Sequence, residues 1–241
     1  MTLSQLHLYI KLELDKSNVS GYPSFLPEEI DYFINTAIKR FYKRKYSGVS
    51  AVGGSFQQNQ LKSDDFRKVV KTAEILKASM TVSGNQYIAD YPSDYWIGVG
   101  ESAYITSTDS EWPKTSLNVA IPRKVDVFER TIENLDSTLN NSLSEHKLNH
   151  SYARPIRVYM NSKIYLFTDG NYSIDKYVIN YISSPVEVDW HSQVNDKNTY
   201  QLISVPDHAW DEIISMATKA AIENIADSRY QTYSAETQAI G

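Results

Sequence analysis

The segment LPEEIDYFINTAIKRFYKRKY, residues 26–46, limits the possible folds more than any other stretch. Ile30, Phe33, Ile34, Ala37, Ile38 and Phe41 recur at three- and four-residue spacing and form one continuous apolar stripe. A helix with such a stripe is stable only when that face is covered, so the chain must supply a partner. Pro27 suits a first helical turn, Glu28 and Glu29 stand at the positive end of the dipole, and Lys43, Arg44 and Lys45 at the negative end. The covering element is predicted near the C-terminus. Pro206-Asp207 opens a helix over 206–232, with Trp210, Ile213, Ile214, Ala217, Ala221 and Ile225 on one face. Leu3, Leu6, Ile10 and Leu14 predict a third, shorter helix over residues 2–15.

The middle of the chain has a different period. Ala73–Val82 reads as extended, a turn at Pro92-Ser93-Asp94 precedes a strand through Tyr104 and Ile105, and VDVFERTI is a further strand. IRVYM, KIYLFT and SIDKYVINYI read as three strands joined by Asn161-Ser162 and Asp169-Gly170-Asn171, which predicts an antiparallel meander. The last of these ends at Ser183-Ser184-Pro185, the pattern of a strand that runs to an edge. Residues 47–63 and 136–153 are polar and read as loops, and 189–201 as another. Helices at both ends with strands between them predict an α+β fold. The expected division is a helical part, 1–72 with 202–241, and a β-rich part, 73–201, that projects from it as a sheet or sandwich.

Composition narrows the chemistry. With 41% hydrophobic and 22% charged residues the chain is of globular type, and a net charge of −5 argues against a broad basic face for DNA. There are no cysteines, which removes disulfides, thiolate metal sites and cysteine nucleophiles. Nothing approaches the roughly 20 apolar residues of a membrane helix, so no membrane partner is expected.

Catalytic patterns are sparse. His146 and His150 are four apart, the spacing of a helical metal pair, but their flanks lack a helical stripe and no third ligand is matched. Asp189 and His191 form a possible carboxylate–imidazole dyad without a nucleophile elbow. Gly53-Gly54 lacks the lysine of a phosphate loop. No enzyme, cofactor or metal is expected. The eighteen tyrosines suit interfaces, having large contact area with a polar tip. Tyr32 and Tyr42, placed off the apolar stripe of the first long helix, are the candidate subunit contacts. Lys43, Arg44 and Lys45 are the candidates for DNA contact.

The order of these pieces resembles a family. LPEEIDYFINTAIKRFY, the Pro-Ser-Asp-Tyr turn at 92–95, PIRVYMNSKIYLF running into YVINYISSPVEV, and VPDHAWDEIISMATKAAIENIADSRYQ are similar in sequence order to the head-to-tail connector proteins of tailed phages. The nearest resemblance is to the adaptor or ring proteins of short-tailed phages, including crAss-like ones, over about Phe25 to Ala235. The resemblance implies a virion protein of the neck or tail, made in the bacterial cytoplasm. It would be a ring of about twelve copies beneath the portal, with partners in the portal protein and neighbouring tail or ring proteins. DNA would pass through the central channel with transient, non-specific contact. It also implies that the tail, with Tyr230 and Tyr233, docks onto the portal or a neighbouring ring. The alternative is a tail-associated glycan- or protein-binding module, in which Trp96, Trp112 and Trp190 would be the first residues to test.

Overall fold

The computed structural model describes residues 1–17, 25–47, 64–150, 152–191 and 205–224. The chain is α+β, with helices towards both termini and strands between them. Its contacts divide it into two compact units: a helical unit, Met1–Val69 with Pro185–Gly241, and a strand unit, Val70–Ser184. The breaks fall at 69/70 and 184/185, where the sequence reading put them at 72/73 and 201/202.

In the helical unit, α1 (Leu3–Ser17) and α2 (Pro27–Ser47) are followed late in the chain by a one-turn 3-10 segment, Asp207–Ala209, that leads into a C-terminal helix, Trp210–Asn224. Thr2 and Gln5 start α1 with a reciprocal capping box: the Thr2 hydroxyl accepts from Gln5 N–H at 3.2 Å, and the Gln5 carboxamide accepts from Thr2 N–H at 3.1 Å. At the start of α2, Glu29 reaches back to Leu26 N–H at 2.8 Å, with Pro27 in the first turn. The α2 stripe is buried as its spacing demands, and the C-terminal helix packs against both α1 and α2. Ile225 and residues 225–232 of the predicted helix lie outside the described residues, as do most of the polar stretches 47–63 and 189–201.

Among the described residues, the strand unit has nine strands in two sheets. β1 (Val70–Leu76), β4 (Tyr95–Ser107), β5 (Arg123–Asp126) and β9 (Tyr172–Ser183) form an antiparallel sheet of order β1-β9-β4-β5. The second sheet contains β2 (Thr81–Ser83), β3 (Gln86–Asp90), β6 (Phe128–Glu129), β7 (Ile156–Met160) and β8 (Lys163–Phe167), in the order β2-β3-β8-β7-β6. The β6–β7 pair is parallel and the others antiparallel. Both sheets contribute to one core, in which Ile164 and Leu166 of β8 meet Ile174, Tyr177 and Ile179 of β9.

Four expectations are corrected here. β9 is a central strand and not an edge strand: β1 pairs with one side and β4 with the other. Pro185 lies just past its last residue, so it ends the strand without removing a ladder donor. Nor do the last three strands form a meander. Asn161-Ser162 does close the β7–β8 hairpin, with φ of 51° and 56°, the left-handed pair that a type I′ turn needs. The turn at Gly170 (φ 88°) instead carries the chain from one sheet to the other. A strand with buried residues on both faces, such as Val178 and Ile182 opposite Tyr177 and Ile179, is suited to a central position. Third, a helix, α3 (Ile132–Asn140), occupies the start of the predicted 136–153 loop, with Leu135 as its buried anchor. Last, the extended stretch Ala73–Val82 is interrupted by a 3-10 turn at Lys77–Ser79. The C-terminal helix Trp210–Asn224 is α4 below.

One irregularity in β9 explains its side-chain phase. The pairing with β4 slips between Tyr104/Lys176 and Ile105/Ile174, leaving Asp175 as an extra residue. This bulge lets Tyr172 and Ile174, then Tyr177, Ile179 and Tyr181, all join the same core despite the odd step from 174 to 177.

Candidate interaction surfaces

Two side faces of α2 have different tasks. Glu28, Asp31, Asn35 and Lys39 follow one another at spacings of three or four, a polar row beside the apolar stripe. Residues 187–191 are strapped along this row in the opposite direction. Lys39 Nζ meets Glu187 at 2.6 Å. Asn35 accepts from Val188 N–H at 2.8 Å and donates to Val188 C=O at 2.9 Å, a two-point clip. Asp31 accepts from Trp190 N–H at 2.7 Å and from His7 Nε2 at 2.8 Å, while the rings of His7 and Trp190 stack at 4.5 Å. His191 reaches Glu28, whose carboxyl is held below the usual range first by a backbone hydrogen bond and then by this imidazole. His191 N–H also turns onto the Asp189 carboxylate at 2.8 Å, so the Asp189/His191 dyad is a local turn in which the imidazole is engaged elsewhere.

The basic end of α2 is bound into the fold. Lys45 Nζ lies 3.1 Å from Glu212 and 3.6 Å from Asp65, and Arg44 is 3.5 Å from Glu212, which ties the last turn of α2 to the first turn of α4. His208 joins the same group through Asp65 at 2.6 Å. With Lys39 already on Glu187, these pairings reduce the positive charge left for a polyanion, while Lys43 is exposed.

The two tyrosine candidates on α2 part company. Tyr32 is 67% exposed. Tyr42, expected on the helix surface, is fully buried: its ring meets Phe41 at 5.2 Å and Phe66 at 5.6 Å. Burial, helped by the Asp65 charge, raises its phenol well above the ordinary value. The reason is the short 64–69 segment, which brings the buried Phe66 against Tyr42 and widens the apolar stripe by one position. Nothing in the spacing of α2 alone marks this. Tyr230 and Tyr233 lie outside the described residues.

The helical unit also exposes apolar side chains that the sequence reading did not single out. On α1, Leu3, Leu6 and Ile10 are buried, yet Leu8, Tyr9 and Leu12 are 54%, 43% and 45% exposed. Leu8 and Leu12 are one turn apart with Tyr9 beside them, so α1 carries a second apolar strip facing water. Leu26 is exposed beside the start of α2. The available signal was that α1 has more apolar positions than one buried stripe requires.

In the strand unit the candidate metal pair does not converge. His146 is buried with Nδ1 2.9 Å from the Ser144 hydroxyl, and burial depresses its pKa. His150 sits at φ 44° on the surface, 3.3 Å from Glu111. No cluster of three metal-ligating side chains occurs among the described residues. Nor do two of the tryptophans offer open platforms: Trp112 is buried and donates to Ile121 C=O at 3.0 Å, and Trp190 is stacked on His7.

The strand unit instead buries an ion pair. Arg157 Nε donates to Glu101 at 2.9 Å, and each side chain is only 8% exposed. Arg157 Nη1 reaches Glu129 at 3.1 Å, its guanidinium lies 3.7 Å from the Tyr159 ring centroid, and the Tyr159 hydroxyl donates to Glu101. Tyr91, Tyr95 and Tyr181 extend the cluster through ring contacts of 4.6–5.7 Å. Gly98 is part of this packing, since a Cβ there would stand 2.9 Å from the Tyr95 hydroxyl. Tyr181 donates to Asp94 at 2.7 Å, its phenol pushed up to about 12 by burial and that carboxylate. Every Glu101 contact named here lies within the strand unit.

No family model matches the sequence, and no curated protein matches it. Among the described residues, no helix is long and apolar enough to cross a membrane.

Proposed function

We propose that the chain is a structural virion protein whose copies close into a ring between capsid portal and tail, with DNA passing through the central channel. The observation that carries this reading is the apolar strip Leu8, Tyr9 and Leu12 on α1, supplemented in the same unit by Leu26 and Tyr32. Apolar side chains left in water on a helix already buried on its other side are the material of a subunit contact. A closed ring needs complementary surfaces that are not the same patch on both partners. The outer strip of α1 and the Tyr32 face of α2 lie on different helices and fit that requirement. The resemblance in element order to phage connector proteins supplies the rest of the reading, including the portal and tail proteins as partners. Arg40, Lys43 and Arg44, the exposed members of the basic cluster, are the groups that would touch passing DNA.

The test is the native mass of the full chain over a concentration series, alone and mixed with a portal assembly. A closed species of about a dozen subunits is expected, reduced to folded monomer by the triple substitution Leu8→Ser, Tyr9→Ser, Leu12→Ser. A chain that stays monomeric alone and does not co-sediment with the portal overturns the reading. So does a ring that survives this variant and Tyr32→Ser.

A further inference from the structure

We propose that a cleft in the strand unit binds a neutral, polyhydroxylated ligand the size of one saccharide ring. The cleft encloses about 290 Å³ between the β2–β3 turn (Gly84, Asn85), the end of β4 (Thr106–Thr108) and the turn that leads into β9. That volume is at the lower end of small-molecule sites, about 300–1,000 Å³, which fits a single ring and not a chain. This inference is independent of the ring reading, since it concerns only the strand unit.

The lining determines the ligand class. Among the described residues it consists of hydroxyls, carboxamides, two tyrosines, two glycines and an alanine, with no lysine, arginine, histidine, aspartate or glutamate. Two acids adjoin the lining in sequence: Asp169 accepts from Leu148 N–H at 2.8 Å and from Asn171 N–H and Nδ2, both at 2.9 Å, and Asp109 accepts from Glu111 N–H at 3.0 Å and from the Ser110 hydroxyl at 3.3 Å. An anion would find no cation in this lining and an ammonium no carboxylate, so a charged ligand would lose its hydration without compensation there. A neutral ligand rich in hydroxyls loses less and can exchange its water for these groups.

The walls are fixed by bonds within the protein. Ser107 donates to Asn171 C=O at 2.6 Å and accepts from Asp109 N–H at 3.1 Å, and Thr168 donates to Asn85 C=O at 3.2 Å. Gly170, at φ 88°, lets the two turns approach: a Cβ there would stand 2.7 Å from Asn85 Oδ1. Two groups at the rim are not used in this way. The Asn85 carboxamide and the Thr108 hydroxyl are exposed and have no hydrogen-bond partner among the described residues. A carboxamide presents a donor and an acceptor side by side, the pattern that matches two adjacent sugar hydroxyls. Tyr87 and Tyr172, both buried, close the cleft on the core side. The Tyr172 hydroxyl is itself buried without a hydrogen-bond partner among the described residues.

The experiment is an NMR titration of the ¹⁵N-labelled full chain with glucose, galactose and N-acetylglucosamine, with glucosamine and glucose 6-phosphate as charged controls. The expected result is weak, saturable binding of at least one neutral sugar, in the millimolar range, with shifts confined to residues 84–87, 106–108 and 168–173. Asn85→Ala should weaken that binding about tenfold, one hydrogen-bonding group's worth, with no change in melting temperature. Thr108→Trp, which fills the mouth, should abolish it. The proposal fails if no neutral sugar gives saturable shifts, if either charged sugar binds more tightly, or if Asn85→Ala binds as well as the parent.

Discussion

The two units treat a buried carboxylate differently. In the strand unit Glu101 is enclosed with Arg157 and Tyr159, and its bonds link strands of both sheets. In the helical unit Asp31 is equally buried, but it bonds to His7 and to the backbone of a strap laid along α2. The first carboxylate fixes how two sheets pack; the second fixes where a connecting segment lies. Exposed apolar side chains differ between the units in arrangement. The strand unit closes its core between two sheets, whereas α1 of the helical unit has apolar side chains on two faces and buries one. Both units leave apolar side chains in water, Leu117, Ile132 and Leu143 among them in the strand unit, but those of α1 line up along one helix.

The largest effect should come from breaking the enclosed pair. Glu101→Gln leaves the buried Arg157 with only the exposed Glu129 as counter-charge and should cost about 3 kcal/mol, read as a lower urea midpoint for the strand unit. A double variant, Glu101→Gln with Arg157→Met, should recover much of that loss; a double variant as unstable as the single one would show that packing, not charge, was lost.

Next in size is the strap. Asp31→Ala deprives His7 and Trp190 N–H of their acceptor and should cost about 1–3 kcal/mol. Faster amide exchange should be confined to residues 187–191 and α1. Equal loosening of the strand unit would contradict the separation drawn above.

A smaller effect is set by pH. Burial depresses the His146 pKa below the ordinary 6.5, so the unfolded chain binds more protons than the folded one in the window below that value. The contribution is therefore complete above pH 6.5 and is lost as pH falls through the folded value. Melting temperature of the strand unit should drop between pH 7.5 and 5.5, and the drop should shrink in His146→Gln. A second, lower window belongs to Asp94, whose carboxyl is held below 3.8 first by Lys71 at 2.6 Å and then by Tyr181. The smallest effect on stability, within about 0.5 kcal/mol, is expected for Tyr32→Ser. It should reduce self-association while leaving the monomer's melting curve in place.

The helices were the most legible elements. The spacing of Ile30, Phe33, Ile34, Ala37, Ile38 and Phe41 named the buried face of α2 residue by residue, because a helix has a single period and one side to hide. Strand positions were legible too, but not their neighbours: the run of β9 marks a strand without saying that β1 and β4 flank it. Candidate surface residues were read least well. Tyr42 and Tyr32 have the same side chain on the same helix, and only the crossing of Phe66 separates a core residue from a surface one. The cleft was out of reach for a similar reason, since Asn85, Thr108 and Asn171 come from three separate turns with no shared motif.

By itself, then, the sequence determined the α+β class, the buried apolar stripe of each terminal helix and the hairpin at Asn161-Ser162. Each depends on interactions within a few residues: helical or strand periodicity, or the left-handed φ that one turn demands. The tertiary structure decided which sheet received β9, which apolar side chains of α1 stayed in water, and which acids took up the charges of Lys39, Arg44 and Lys45. Those outcomes depend on contacts between residues far apart in the chain, such as Lys39 with Glu187 and Glu101 with Arg157. No local period encodes such contacts, because they form only when distant segments are brought together.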